Sequence, residues 1–349
     1  MNAVFLVGSY VPHQILSINS LIDFYKIKIF SFSVSKKYTY IPKETNSFKT
    51  YLLHDYTRKT LLEEIQKINP DLIVTAGWMI PEYNWVCKKM KKRTSIPIVA
   101  CSDTPWYGTW KQRINAFISP FYLKKAFTHI WVAGMRQYDY ARKLKFVNAQ
   151  ILFHSLCGDM STFSKVDITT KKTKGYPKNF LYVGRYTEIK GLRNLIKAWS
   201  SIPDKKGWTF TLIGAGEMKQ NLMAIEDFIV KDYMAQDELI EEFQNAGCFV
   251  LPSIKEPWAL VIHEAAIAGL PILCTETCGA SPHFVINNFN GFRVCDNSIN
   301  DLKKKLMLIM DLDVDSLLTF CNNSRALSTI ITPQIQSASL MQLLNEKKQ

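Results

Sequence analysis

Two glutamates, Glu256 and Glu264, stand with seven residues between them in VLPSIKEPWALVIHEAAIAGL, residues 250–270. Paired carboxylates act as general acid and base when both face one scissile bond; otherwise they accept hydrogen bonds from substrate hydroxyls. An apolar run ends in Pro252-Ser253, a short polar loop carries Glu256, and an apolar helix carries Glu264 and stops at Gly269 before Pro271. Both carboxylates therefore border one loop and one helix, which favours holding hydroxyls over flanking a bond. Backbone N–H groups at the helix start, around Trp258, Ala259 and Leu260, lack intrahelical partners and suit a phosphate. A core helix with two ordinary surface glutamates would show the same spacing.

Other chemistry-bearing residues sit at similar places. Val183-Gly184-Arg185-Tyr186-Thr187-Glu188-Ile189-Lys190-Gly191 puts a guanidinium and an ammonium in one loop before a helix. That pair suits the negative charge developing on a diphosphate leaving group; a solvated basic loop is the plain alternative. Gly8 ends the first apolar run, where the missing Cβ lets a phosphate or substrate approach the backbone, although a tight turn asks for the same residue. Asp103 ends another run, in Cys101-Ser102-Asp103-Thr104-Pro105-Trp106, and reads either as a working carboxylate or as a turn residue. Trp106, Lys111 and Arg113 follow, with Tyr107 and Trp110, as an aromatic and basic cluster suited to stacking on sugars and meeting a lipid phosphate, or simply to packing. The six histidines show no metal-ligand spacing, and His263 is expected to face solvent or a domain interface.

The elements that must position these residues alternate between short β-rich runs and helical patterns, the mark of parallel sheets with crossover helices. In the first half, strands are expected at 3–8, 28–33, 48–53, 71–76, 96–101, 130–133 and 150–154, with helices at 12–25, 57–68, 82–90, 110–127 and 135–144. A polar stretch at 161–178 reads as an interdomain linker. The alternation restarts with strands at 180–183, 209–213, 228–231, 248–251, 272–274 and 291–294. Helices are expected at 191–199, 236–245, 299–312, 316–327 and 333–345. The division is a first Rossmann-like domain over 1–160, the linker, a second over 179–327, and a C-terminal helix within 328–349 that packs back on the first. Two such sheets would face each other across a cleft, with ligands at the carboxyl ends of the strands.

At 349 residues, 47% of them hydrophobic, the chain has the length for two domains and the composition for large cores. Eight scattered cysteines without a C-x-x-C pair read as buried reduced thiols, which points to the cytoplasm. The N-terminus has no basic n-region of a signal peptide, and no apolar run approaches the ~20 residues that span a bilayer. The formal charge of +13 is uneven. Residues 1–160 hold 22 Lys and Arg against 10 Asp and Glu, whereas residues 161–349 hold 21 against 20. Lys88, Lys89, Lys91, Lys92 and Arg93 are the densest cluster, with Lys36, Lys37, Lys124, Lys125, Arg142, Lys143 and Lys145 adding to it. Such an excess is a solvated face, a site for an anionic membrane surface, or a nucleic-acid contact.

Taken in order, Gly-Arg-x-x-x-x-Lys-Gly at 184–191, Gly-x-Gly at 214–216 and Pro-Ser-x-x-Glu-x-x-x-x-x-x-x-Glu-Ala at 252–265 resemble the family 4 retaining glycosyltransferases of the GT-B fold. Cys278-Gly279-Ala280 and Asn290-Gly291 are similar to later landmarks of that family, and Gly158-Asp159 and Phe163 match it beside the linker. The resemblance implies a nucleotide-sugar donor held mainly by the second domain. Arg185 and Lys190 would contact its diphosphate, with Gly8 and the amides of Trp258, Ala259 and Leu260 helping. Glu264 would take the ribose hydroxyls and Glu256 would lie near the donor sugar. The family retains anomeric configuration and its fold needs no metal, so no cofactor is expected. Three departures stand out: Gly8-Ser9 replaces Gly-Gly, the family's glycine before the second-glutamate helix is Ala259, and the family's histidine after the 96–101 strand is missing. Asp103 is the candidate for part of that histidine's catalytic role, or for binding the acceptor.

The expected function is transfer of a sugar to a glycan or lipid-linked acceptor in surface polysaccharide, capsule or lipopolysaccharide synthesis. The enzyme would lie in the cytoplasm, with its basic half against the inner membrane face and Trp106, Lys111 and Arg113 near the acceptor. A GT-B sugar-nucleotide epimerase is the competing enzyme reading. A basic nucleic-acid-binding protein is the non-enzymatic one, although no nucleic-acid module is recognisable and no such partner is expected.

Overall fold

The structure, a computed structural model, describes residues 1–34, 43–170 and 175–345. Lys36, Lys37, residues 171–174 of the expected linker and residues 346–349 of the expected C-terminal segment lie outside the described residues. The chain divides into two compact units, Met1–Cys157 with Pro333–Gln349, and Gly158–Thr332.

Unit 1 is built on seven parallel strands: β1 (Asn2–Val7), β2 (Lys28–Ser33), β3 (Phe48–Leu52), β4 (Leu72–Thr75), β5 (Ile98–Ser102), β6 (His129–Val132) and β7 (Ile151–Leu152). Their order is β3-β2-β1-β4-β5-β6-β7. Helices α1 (Pro12–Tyr25), α2 (Arg58–Ile68), α3 (Pro81–Arg93), α4 (Trp110–Ile118), α5 (Leu123–Ala126) and α6 (Met135–Lys143) connect them. Local signals fix the helix ends. Pro12 opens α1 and Lys26 closes it in the left-handed conformation. Thr57 caps α2 in a reciprocal box with Thr60. The 110–127 pattern does not run as one helix. Pro120 cannot supply the N–H that a continuing α-helix requires, and a 3₁₀ turn over Ser119–Phe121 separates α4 from α5.

Two hydrophobic clusters cover the two faces of this sheet, so its strands read as nearly continuous apolar runs. The C-terminal helix, Pro333–Asn345, belongs to the second of these. Its Leu340, Met341 and Leu344 share a core with Ile15, Ile18 and Leu21 of α1, and Ser20 Oγ donates to the Pro333 carbonyl at 2.7 Å.

Unit 2 has six parallel strands: β8 (Asn179–Val183), β9 (Thr209–Ile213), β10 (Phe228–Lys231), β11 (Cys248–Leu251), β12 (Ile272–Thr275) and β13 (Gly291–Val294), in the order β10-β9-β8-β11-β12-β13. Part of the 161–178 stretch packs into this unit. Asp159 caps a short helix over Met160–Phe163 by accepting from the Thr162 amide at 3.0 Å. Phe163, Val166 and Ile168 are buried, and Phe163 meets Phe243 with ring centroids 4.9 Å apart. The Lys and Thr content of the stretch masked these three apolar anchors.

Both sheets reverse strand order once, between β1 and β4 and between β8 and β11. At such switch points the two loops diverge and leave a crevice outside the carboxyl ends. Among the described residues, no helix is long and apolar enough to cross a membrane. All eight cysteines are free, six of them buried.

Candidate active site

In unit 2 the loops after β8 and β11 carry the charged residues singled out from the sequence. The first loop is locked to the neighbouring β9 loop. Gly184 N–H donates to the Ile213 carbonyl at 3.0 Å and Tyr186 N–H to the Ala215 carbonyl at 2.7 Å. A Cβ on Gly214 would fall 1.9 Å from the Gly184 carbonyl oxygen, so the close approach itself requires glycine there. Tyr182 Oη donates to the Arg185 carbonyl at 2.7 Å. This backbone is fixed while the Arg185 side chain stays exposed. Among the described residues, no carboxylate forms an ion pair with it.

Lys190 and Glu256 form an ion pair through Nζ and Oε2. Their side chains are 15% and 11% exposed, and Ser253 Oγ lies 3.4 Å from the same carboxylate oxygen. The pair is assembled by backbone. Gly191 has φ of +73°, and a Cβ on it would meet the Pro252 oxygen at 1.8 Å; Ile254 N–H donates to the Ile189 carbonyl at 2.9 Å. Cys278-Gly279-Ala280 holds the other side of the loop: Gly279 N–H donates to the Glu256 carbonyl at 3.2 Å and Ala280 N–H to the Trp258 carbonyl at 2.8 Å. An ammonium has three donors, so the ion pair leaves Lys190 with capacity for a ligand oxygen.

Glu264 lies on the Leu260–Ile267 helix, and only 9% of the residue is exposed. Burial pushes its carboxyl up to about 7; the Gln236 amide, donating to Oε1 at 3.1 Å, opposes this, and the Asp159 charge adds to it. Asp159 itself is held low: burial works against this, but hydrogen bonds from Ser161 and Thr162 together outweigh it. A Cβ on Gly158 would lie 3.3 Å from Glu264 Cγ, so the Gly158-Asp159 step seats directly on the glutamate's helix. At the helix start Ala259 adopts φ 75° and ψ 78°, left-handed space that costs a residue with a Cβ. Trp258 is buried, and its Nε1 has no hydrogen-bond partner among the described residues.

His263 differs from expectation. It is fully buried. Its Nδ1 accepts from the Gly158 amide at 2.9 Å, which leaves Nε2 to donate to the Ser328 carbonyl at 2.9 Å. The ring stacks on Phe284 at 4.2 Å. Burial lowers its pKa to about 4, with the Ser328 contact opposing; it is a neutral structural imidazole.

Unit 1 holds Asp103 and Gly8. Asp103 is exposed at the end of β5, and its carbonyl accepts from Gln137 Nε2 at 3.1 Å. It borders a pocket of about 200 Å³ at the carboxyl ends of β1, β4 and β5, lined also by His13, Gln14, Ser17, Thr75 and Ser155. Gln14 Oε1 and Ser17 Oγ are buried without hydrogen-bond partners among the described residues, and burial lowers the His13 pKa to about 4. A Cβ on Gly8 would meet nothing within 4 Å, so no protein contact demands glycine there. A second pocket on the other side of Asp103 is lined by Gln112 and Asn115 of α4. Trp106, Lys111 and Arg113 line neither pocket. Trp106 is half-buried against Tyr140, with Lys143 Nζ 4.8 Å from its ring; Lys111 and Arg113 are exposed on α4.

Two residues of the unit 2 site escaped the sequence reading. Thr187 lies inside the Arg185–Lys190 loop, and its hydroxyl is buried without a partner among the described residues; its position between the two cations was the available signal. Gln236, the hydrogen-bond partner of Glu264, lies beyond β10 in no motif, so nothing local pointed to it.

Two doubly wound parallel sheets with the charged residues at the carboxyl ends define the GT-B class of fold. Residues 166–326 match the model of the family described as glycosyl transferases group 1. An uncharacterised glycosyltransferase of Haemophilus influenzae is 28% identical over 158 residues, 43% of this chain and 44% of that protein. The N,N'-diacetylbacillosaminyl-diphospho-undecaprenol alpha-1,3-N-acetylgalactosaminyltransferase of Campylobacter jejuni is 23% identical over 164 residues, 44% of this chain and 43% of that one. The chain thus spans less than half the length of these curated relatives. Among solved structures, Anabaena HepE in complex with UDP and glucose aligns over 99% of both chains, with a TM-score of 0.74 and 14% identity, a likeness of fold.

Proposed function

We propose that the protein transfers a sugar, with retention of configuration, from a nucleotide-sugar donor to a glycan or lipid-linked acceptor in the assembly of a surface polysaccharide, capsule or lipopolysaccharide. The observation that carries this is the convergence, at the β8/β11 switch point, of exposed Arg185 with the Lys190–Glu256 pair. Arg185 and Lys190 offset the charge that grows on the departing diphosphate. The first amides of the Leu260–Ile267 helix take the distal phosphate. Ionised Glu264 accepts from the ribose hydroxyls, and Glu256, steadied by Lys190, borders the donor sugar. These cations do the work a metal would do in other transferases, so activity survives chelation. In unit 1, the pocket beside Asp103, with its unpartnered Gln14 and Ser17 oxygens, takes acceptor hydroxyls. Asp103 is the candidate to meet the acceptor's reacting hydroxyl.

UDP-sugars are the donors to test first, because the HepE structure holds UDP. The Campylobacter relative's name supports a lipid-linked acceptor, and the basic first unit supports work at an anionic membrane surface from the cytoplasm. The test is a thermal-shift screen across UDP-, GDP-, ADP- and CMP-sugars, followed by turnover in the presence of EDTA. A donor at ~100 times its dissociation constant adds ~2.7 kcal/mol of stability. Arg185→Ala and Glu264→Ala are expected to abolish transfer while the fold persists; full activity in either would sink the site assignment. Donor conversion without acceptor would point to epimerisation instead.

A further inference from the structure

Helix α4 has its amphipathicity inverted. Gln112 points inward: its Oε1 accepts from the Tyr107 amide and its Nε2 donates to the Pro105 carbonyl, both at 2.8 Å. Ser119, just beyond the helix, is buried and donates to the Leu144 carbonyl at 2.6 Å. The apolar residues point outward instead. Trp110, Ile114, Phe117 and Phe121 recur at one helical face, and they are 67%, 50%, 79% and 69% exposed. Met79, 84% exposed, follows Trp78, whose carbonyl accepts from Tyr122 Oη at 3.3 Å. Scattered single apolar side chains on a surface need no explanation, whereas a contiguous aromatic stripe marks something that covers it.

The charge around the stripe indicates what that is. Lys111 and Arg113 flank it on the helix, and Lys124 and Lys125 follow in α5. From residue 104 to residue 138 the chain holds no Asp or Glu. Lys91 Nζ donates to the Lys124 carbonyl at 2.6 Å, which brings the basic end of α3, with Lys92 and Arg93, beside α5. None of these cations forms an ion pair among the described residues. An apolar face with aromatic residues, edged by unpaired Lys and Arg, has the chemistry of an element lying in a bilayer interface, rings at headgroup depth and cations among the phosphates.

We propose that the exposed face of α4 and the turn after it docks unit 1 onto a bilayer bearing anionic lipids, with Trp110, Ile114, Phe117 and Phe121 inserted and Lys111 and Arg113 on the headgroups. This narrows the membrane part of the reading above to one surface, and it gives Lys111 and Arg113 a role that the Asp103 pockets do not. It leaves the donor site untouched, so the two fail separately.

The test is co-sedimentation of the full chain with vesicles of phosphatidylglycerol and phosphatidylethanolamine, against pure phosphatidylcholine. Wild type is expected to partition to the anionic vesicles, weakening as salt rises. Phe117→Ser/Phe121→Ser should lower the partition coefficient at least tenfold. Lys111→Ala/Arg113→Ala should lower it roughly fivefold per charge on anionic vesicles and little on neutral ones. Because these side chains are exposed, the melting temperature and the nucleotide-sugar thermal shift should stay as in wild type. Wild type failing to bind anionic vesicles, or either double variant binding as wild type does, overturns the proposal. A dimer in solution that Phe117→Ser/Phe121→Ser converts to monomer without loss of vesicle binding also overturns it, and assigns the face to a second copy of the chain.

Discussion

Replacing Glu264 by glutamine isolates the cost of holding this carboxylate in unit 2. Its carboxyl ordinarily titrates at 4.5 and is pushed up to about 7 by burial, with Asp159 adding and Gln236 opposing. At about 1.4 kcal/mol per pH unit, that difference amounts to about 3 kcal/mol. Below pH 4.5 the carboxyl is protonated in folded and unfolded chains alike and carries no penalty. Between 4.5 and about 7 the unfolded chain ionises while the folded one keeps its proton, so wild-type stability falls as pH rises. Above 7 both are ionised and the whole loss remains. Glutamine does not titrate and keeps an oxygen for the Gln236 amide. The variant's advantage over wild type should therefore grow from near zero at pH 4.5 to about 3 kcal/mol at pH 8. His263 runs the other way, its stability present above 6.5 and lost as pH falls towards about 4, but it is common to both proteins and cancels in the difference. Urea denaturation without nucleotide, in half-unit steps of pH, reads this directly. A difference that stays flat from pH 5 to 8 refutes the burial argument. In the same series, wild-type affinity for the nucleotide-sugar should drop as pH falls below 7, because the protonated carboxyl accepts poorly from ribose hydroxyls.

Lys190→Ala should cost about 3 kcal/mol by leaving Glu256 partly buried and unpaired, and adding Glu256→Ala should recover part of it; denaturation midpoints that add without coupling would show the pair to be incidental. Ala259→Gly should stabilise the protein by about 1 kcal/mol, since φ of 75° carries a Cβ penalty that glycine lacks; a melting temperature unchanged or lowered would mean that the conformation is not strained.

The architecture was legible because each strand and most helices declare themselves locally, by apolar period and by caps such as Thr57 or Pro12. The charged residues of unit 2 were legible for the same reason: Arg185, Lys190, Glu256 and Glu264 follow strands at their carboxyl ends, and the strand order makes two of those ends neighbours. What the chain does not display is pairing across that order. Lys190 and Glu256 are 66 positions apart, and their union depends on Gly191 seating against Pro252. Burial raises the Glu264 carboxyl, Gln236 opposes this and Asp159 adds to it, and neither of those two residues is near it in sequence. His263 was misplaced because a polar residue beside a candidate site residue suggests an open surface. The surrounding sequence argued otherwise, since a helix apolar on every side is buried on every side, and a histidine inside it must find partners, as it does in Gly158 and Ser328. Helix α4 is the opposite case. Its period marks a helix but cannot say which face turns inward. Here Gln112 and Ser119 find partners within the protein, and the apolar stripe is left for something outside it.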